Sequence, residues 1–369
     1  MHIGILIILF LYALLIIRYT LGWYKVKTIT ITNKEFTSKV SIVIAMRNEE
    51  NEVERLLQNL QSQIYSPDKL ELILVNDHST DNTLNILNSS QLDNLQVINM
   101  PKEEFGKKNA IKNAIELASG DIILASDADC SFNPKWAQTM VNYFTDENIK
   151  LVSGPVAYHK QKGIFLSLQA LEFSSLIGSG AGAIGVNNAI FCNGANMAYR
   201  KEIFLEVNEF SIDTAVSGDD VFLLHSVKAK YPNSIAFAKE KSAIVITDAV
   251  QTVSGFINQR KRWTAKSSGY KDNASIYTSF LVLFTNLAFV FLFAMPFWNI
   301  EYFNLFILFY GVKFLVDLIL LFPILKFFNR TDLVKWIFPF EIFYSFYIVL
   351  IVVLSFTKSF EWKGRVHSK

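Results

Sequence analysis

Four stretches of this sequence are apolar over a length suited to a membrane, and between the first and the second lies a long block of a different pattern. Residues 3–17 (IGILIILFLYALLII) run into Arg18, Trp23, Tyr24, Lys25 and Lys27, a basic and aromatic flank of the kind found at a bilayer surface. No basic segment precedes this run and no small-residue cleavage site follows it, so the pattern predicts a retained anchor over residues 1–24 rather than a removed signal. From Val40 to Asp248 short β-rich runs alternate with amphipathic polar stretches: SIVIA at 41–45, LELILV at 70–75, LQVINM at 95–100 and DIILAS at 121–126. Strands spaced by helical segments predict an α/β domain with a parallel sheet, placed at 38–250.

After Tyr277 three apolar runs follow at 278–298, 303–323 and 336–356, each near the length a spanning helix needs. The chain therefore divides into the anchor, the α/β domain, an interfacial segment at 251–276, three hydrophobic membrane segments within 277–357 and a basic tail at 358–369. The linker at 326–335 carries Lys326, Arg330 and Lys335, which predicts that it and the 40–276 region face the cytoplasm, with the chain in the inner membrane. Four spans then leave the tail's Lys358, Lys363, Arg365 and Lys369 on the other side, against the charge rule, unless one run is re-entrant. Within the 303–323 run, Lys313 and Asp317 stand four apart on one helix face and are expected to pair, as a structural contact between helices or in handling an acceptor.

Composition agrees with this division. Hydrophobic residues make up 51% of the 369, Phe alone occurs 32 times, and the mean hydropathy is +0.28, too apolar for an ordinary soluble surface. The net charge is +2 and no basic stripe is interleaved with aromatics, which argues against nucleic acid as a partner. Cys130 and Cys192 form neither a disulfide framework nor a metal-spaced cluster, and read as buried thiols in a reducing compartment.

Four segments carry candidate chemistry. VNDHSTDNT closes a strand with Asp77, where ligands of open α/β sheets bind, although Ser79 or Asp81 could simply cap the next helix. In IILASDADCSFNP an apolar strand delivers Asp127 and Asp129, hard oxygen ligands suited to Mg²⁺ or Mn²⁺ beside a diphosphate; a solvated acidic turn is the plain alternative. VSGDDVFLLH opens a helix on Asp219 and Asp220, where a carboxylate serves as a cap or as a general base. Gln259, Arg262 and Trp263 lie in QRKRW just before the membrane runs, offering a cationic donor for phosphate and an aromatic face for a sugar, or else interface anchors. GKKNAIKNAI at 106–115 lacks the spacing of a P-loop, yet it puts Lys107 within reach of a diphosphate and Asn113 on the same helix.

The ordered set VND, SDAD, GDD and QxxRW resembles the inverting family 2 glycosyltransferases, in particular the membrane-bound branch with cellulose, chitin and hyaluronan synthases and ceramide glucosyltransferase. The resemblance covers residues 40 to 265. It implies a GT-A domain, a mostly parallel mixed sheet with flanking helices that binds a nucleotide-sugar, joined to transmembrane helices. It implies that Asp77, Lys107, Asn113, Asp127 and Asp129 bind the nucleotide-sugar, that Asp127 and Asp129 hold the metal, and that Asp220 is the base. Gln259, Arg262 and Trp263 resemble the clamp on acceptor and diphosphate, and FCNGANMAYR at 191–200 resembles the NG-A stretch of the acceptor site. Gly218 and Asp219 stand where many members have Thr or Gly followed by Glu. The membrane part is shorter than in polymer-secreting synthases and there is no cyclic-dinucleotide-binding extension; with Trp362-Lys363-Gly364-Arg365 resembling glycolipid-forming relatives, this favours a lipid or lipid-linked glycan acceptor over a growing polysaccharide. A nucleotidyltransferase would share the metal carboxylates but would not need QxxRW, and a non-catalytic relative would not need all of Asp77, Asp127, Asp129 and Asp220.

Overall fold

A computed structural model of the protein describes residues 2–29, 38–208, 219–267, 269–355, 359–362 and 365–368. The chain forms two compact units: an α/β unit, Val26–His159 with Phe191–Asp248, and a helical unit, Met1–Lys25 with Lys160–Ile190 and Ala249–Lys369. In chain order the elements are α1 (His2–Lys25), β1 (Val40–Met46), α2 (Val53–Gln61), β2 (Leu70–Asn76), α3 (Thr83–Asn88), β3 (Leu95–Asn99), α4 (Lys107–Leu117), β4 (Ile122–Ser126), α5 (Trp136–Asn142), β5 (Leu151–Ser153) and β6 (Val156–Tyr158). They continue with α6 (Ile164–Gly185), β7 (Met197–Arg200), α7 (Lys201–Asn208), α8 (Asp219–Lys230), β8 (Ile235–Phe237), β9 (Val245–Thr247), α9 (Val253–Ser267), α10 (Asn273–Ala294), α11 (Tyr302–Phe327), α12 (Val334–Ser355), β10 (Ser359–Trp362) and β11 (Arg365–Ser368).

The α/β unit is built on a mixed sheet in the order β3-β2-β1-β4-β7-β5-β8. Strands β1 to β4 run parallel, whereas β7 is antiparallel to both β4 and β5. β4 is buried at every position and β1 at all but one, as expected of strands covered on both faces, and their Ile, Val and Leu runs carry no alternation. β3, at the edge, is half-exposed and mixes Gln96 and Asn99 with its apolar residues. Register pairs Met46 with Asn76 and Asn76 with Asn99, and Ile44 with Ser126, so the carboxyl ends of β1 to β4 lie along one edge. This mixed sheet with flanking helices is the GT-A-like architecture.

Beneath that edge Asn196 is fully buried and uses its whole amide: Trp136 Nε1 donates to its Oδ1 at 3.0 Å, while its Nδ2 donates to Pro155 O and Ala243 O, both at 2.8 Å. A buried amide with every partner in place rigidifies the loops it joins.

In the helical unit five helices are long and apolar enough to cross a membrane: His2–Lys25, Ile164–Gly185, Asn273–Phe297, Tyr302–Phe327 and Thr331–Ser355. Four coincide with the apolar runs of the sequence. The fifth, α6, arises within the stretch whose pattern reads as α/β. It lies against α1 so closely that a Cβ on Gly22 would sit 1.9 Å from Gly182 O, and one on Gly182 would sit 2.2 Å from Tyr19 O. Only glycine permits this approach of backbones.

Length and apolarity alone do not make α6 a crossing. A helix of 22 residues is about 33 Å long, whereas the few residues between Gly185 and Phe191 reach at most about 18 Å, and chain connectivity alone leads to the expectation, tested below, that both ends of α6 lie on one side of a bilayer.

Lys313 and Asp317 pair as the sequence predicts, at 2.9 Å, and the cluster extends to two further helices. Lys313 also donates to Glu341 of α12, and Tyr12 of α1 donates to Asp317 Oδ1 at 2.7 Å. Lys313 is fully buried, so these partners hold its charge inside the helices. The tail residues 359–362 and 365–368 form an antiparallel hairpin, with Trp362 opposite Arg365; Lys358, Lys363, Gly364 and Lys369 lie outside the described residues.

Candidate active site

The loops after β1 and β2 are stitched to each other by their own polar residues. Asn48 N–H donates to Ser79 Oγ at 3.0 Å, Glu49 N–H to Thr83 Oγ1 at 2.8 Å, and Thr80 N–H to Asn48 Oδ1 at 2.8 Å. Asn48 and His78 take positive φ (54° and 56°), which turns the chain sharply as each strand ends. Ser79 is thus an inter-loop acceptor, while Asp81 accepts from Thr83 N–H at 3.1 Å and so satisfies a donor at the start of α3. Desolvation works against the Asp81 carboxylate, but its bonds from Thr83 and Glu50 prevail and hold its pKa below the usual range.

Asp77 follows β2 directly and is almost fully buried. Its Oδ1 lies 3.0 Å from His78 Nδ1 and its Oδ2 accepts from Gly106 N–H at 3.1 Å. Gly106 has φ +97°, a conformation suited to glycine, and immediately precedes α4. Asp77 therefore anchors the start of the helix that presents Lys107.

Lys107 reaches across to Asp127, at the end of β4, and forms an ion pair with its Oδ1; both side chains are partly exposed. Two residues on, Asp129 Oδ2 accepts from Thr247 Oγ1 at 3.1 Å and its backbone carbonyl accepts from Arg55 Nη2 at 3.0 Å. Burial, with the adjacent carboxylates of Asp129 and Asp127, pushes the Cys130 thiol well up, so it stays protonated.

Among the described residues no three His, Cys, Asp or Glu side chains come together to hold a metal. This donor set does not build an all-protein cage. It fits Mg²⁺ or Mn²⁺ held by one or two carboxylates with substrate phosphates supplying further oxygens.

Asp220 stands in the first turn of α8. Its Oδ2 accepts from Gly194 N–H at 3.0 Å, its Oδ1 accepts from Val221 N–H at 2.9 Å, and its carbonyl accepts from Cys192 Sγ at 3.2 Å. Ser126 Oγ donates to Ala195 O (2.6 Å), so the residue before Asp127 is bonded to the residue after Gly194. Asp127, Asp129, the 193–196 turn and Asp220 are thereby brought to one edge of the sheet. Gly218 lies outside the described residues.

Asn113 shares α4 with Lys107 and donates to Glu104 Oε2 at 2.7 Å and to Met100 Sδ at 3.6 Å. Gln259, Arg262 and Trp263 fall on α9, in the helical unit. There Arg260, which the sequence reading passed over, is the buried centre: it forms a two-pronged ion pair with Glu172 of α6, and its guanidinium lies 4.2 Å from the Trp263 ring centroid. The signal was Glu172 itself, the only charged residue in a 22-residue apolar helix and so in need of a buried partner. Thr247 was also missed, and nothing in the sequence marks it.

A family model described as "Glycosyl transferase family 2" matches residues 41–207. The chain is 26% identical over 236 residues, 61% of its length, to the poly-beta-1,6-N-acetyl-D-glucosamine synthase of Staphylococcus aureus, spanning 53% of that relative. It is 31% identical over 126 residues to the glycosyltransferase AglE of Haloferax volcanii, covering 34% of this chain and 41% of that one. The chain thus spans about half the length of the curated relatives it matches. In fold it is similar to a mannosyltransferase from Pyrobaculum calidifontis solved with GDP-Man and Mn²⁺: TM-score 0.60, 16% identity, 96% of this chain and 95% of that one.

Proposed function

We propose, from the match of residues 41–207 to the glycosyl transferase family 2 model, that this chain is an inverting glycosyltransferase acting beside a membrane. The observation that carries the reading is the shared edge: Ser126, next to Asp127, donates to Ala195 O, and the adjoining Gly194 N–H donates to Asp220, which brings Asp127, Asp129 and Asp220 to one end of the sheet. A nucleotide-sugar would lie over the carboxyl ends of β1 to β4, with its diphosphate towards Lys107 and Asp127. Asp77 supports that placement by fixing the start of α4. A divalent cation, Mg²⁺ or Mn²⁺, held near Asp129 and Asp127 would neutralise charge on the diphosphate.

Asp220 takes the proton of an acceptor hydroxyl as that oxygen bonds to the anomeric carbon. The bond from that carbon to the diphosphate oxygen breaks on the opposite face, the nucleoside diphosphate leaves with the electron pair, and the anomeric centre inverts. Lys107, paired with Asp127, is a cation that turns to the diphosphate when the donor enters. The resemblance to the family motif assigns Gln259, Arg262 and Trp263 a role in acceptor and diphosphate binding, and within the helical unit one face of Trp263 is stacked on Arg260. Asn113 supports the donor site from α4.

For the acceptor, a lipid or lipid-linked glycan accords with the resemblance of Trp362-Lys363-Gly364-Arg365 to glycolipid-forming relatives. The synthase relatives support a second reading, a growing polysaccharide. The basic 326–335 linker supports a cytoplasmic catalytic unit at the inner membrane. Asp220→Asn tests the core of the reading: it removes transfer and spares nucleotide binding, and transfer that survives the change refutes the assigned base.

A further inference from the structure

We infer that Glu172 is a positioning residue for sugar transfer, fixing Gln259 and Trp263 through Arg260. The inference rests on the function proposed above. Glu172 is the only charged group of α6, and it is buried. Both of its carboxylate oxygens lie 3.0 Å from Arg260 Nε, Oε2 also takes Arg260 Nη2, and Oε1 accepts from the Tyr347 hydroxyl of α12 at 3.0 Å. One carboxylate thus joins α6, α9 and α12.

Arg260 passes that constraint on. Its Nη1 donates to Gln259 Oε1, and its guanidinium lies 4.2 Å from the Trp263 ring centroid and 4.4 Å from that of Phe256. Two of the three motif side chains therefore take their orientation from Arg260, and Arg260 takes its own from Glu172. Packing alone does not call for this arrangement, since apolar residues of similar volume commonly replace a buried ion pair without loss of stability. A planar guanidinium held by two carboxylate oxygens sets direction as well as distance.

The test uses the full-length protein in detergent, with Glu172→Gln and the milder Tyr347→Phe, each compared per folded molecule. Glu172→Gln is expected to lower kcat for transfer about tenfold or more while donor KM changes about twofold or less, and Tyr347→Phe to lower kcat by a smaller factor in the same way. In protein labelled with 5-fluorotryptophan, the ¹⁹F resonance lost in Trp263→Phe identifies Trp263, and it is expected to shift in both variants. Folded Glu172→Gln with wild-type kcat, or with that resonance unmoved, overturns the inference. Should Glu172→Gln not fold, Tyr347→Phe with unchanged kcat and an unmoved resonance overturns it equally. If the wild-type protein transfers no sugar, the functional reading fails instead, and the resonance alone decides whether Glu172 orients Trp263.

Discussion

At the scale of single residues, the account separates groups that meet the reactants from groups that hold them in place. Asp129→Ala is expected to weaken Mn²⁺-dependent nucleotide binding by about tenfold or more; titration in buffer and in chelator checks this, and retained binding in chelator contradicts the metal role. Asn196→Ala strands Trp136 Nε1 and two buried carbonyls, at a cost on the order of 3 kcal/mol, read as a lower denaturation midpoint. Glu71 offers a pH prediction. Burial raises its pKa, but bonds from Ser41 and Ser119 outweigh burial and leave the carboxyl below its usual value. A pKa depressed by folding stabilises the protein above the unfolded value, and that contribution is lost as pH falls through the folded one. Glu71→Gln should therefore melt lower than wild type at neutral pH and lose less on acidification; parallel melts that keep the same gap at both pH values contradict this.

The residues legible in the sequence were those whose type is rare in their setting. Asp127 and Asp129 follow a strand of Ile and Leu, where two carboxylates have no packing use, and Asp220 stands in the first turn of a helix. Asn113 shares a helix with Lys107, and its bonds to Glu104 and Met100 are contacts that no local pattern marks. Arg260 was obscured by more conspicuous neighbours, because its importance lies in Glu172, 88 positions away in sequence.

At the scale of elements, β1 to β4 were read correctly because a β-branched run bounded by polar loops has one reasonable solution. α6 was not, because its Gly, Ala and Ser residues dilute the hydrophobic signal while serving to bring α1 close. Gly182→Leu is expected to disrupt that contact, since any Cβ there meets the Tyr19 carbonyl; retained folding and an unchanged melting point would contradict the packing. Cysteines placed at Gly163 and Asn187, flanking α6, should react with an impermeant thiol reagent from the same side of sealed vesicles. Labelling from opposite sides would make α6 a crossing and split a continuous sheet.

At the scale of the whole molecule, one unit gathers the carboxylates at a sheet edge, while the other places the QRKRW helix among long apolar helices cross-linked by the Lys313, Asp317 and Glu341 cluster. Composition signalled the membrane part, and the order of motifs signalled the α/β unit. The choice of sugar and acceptor depends on pocket side chains scattered between the motifs, which no local pattern marks. The central claim is tested most directly by release of nucleoside diphosphate from the detergent-purified protein over a panel of nucleotide-sugars, with Mn²⁺ or Mg²⁺ and with or without membrane lipid. The account predicts metal-dependent release from one donor, raised by lipid and abolished by Asp220→Asn; no release from any donor, or release undiminished in Asp220→Asn, would contradict it.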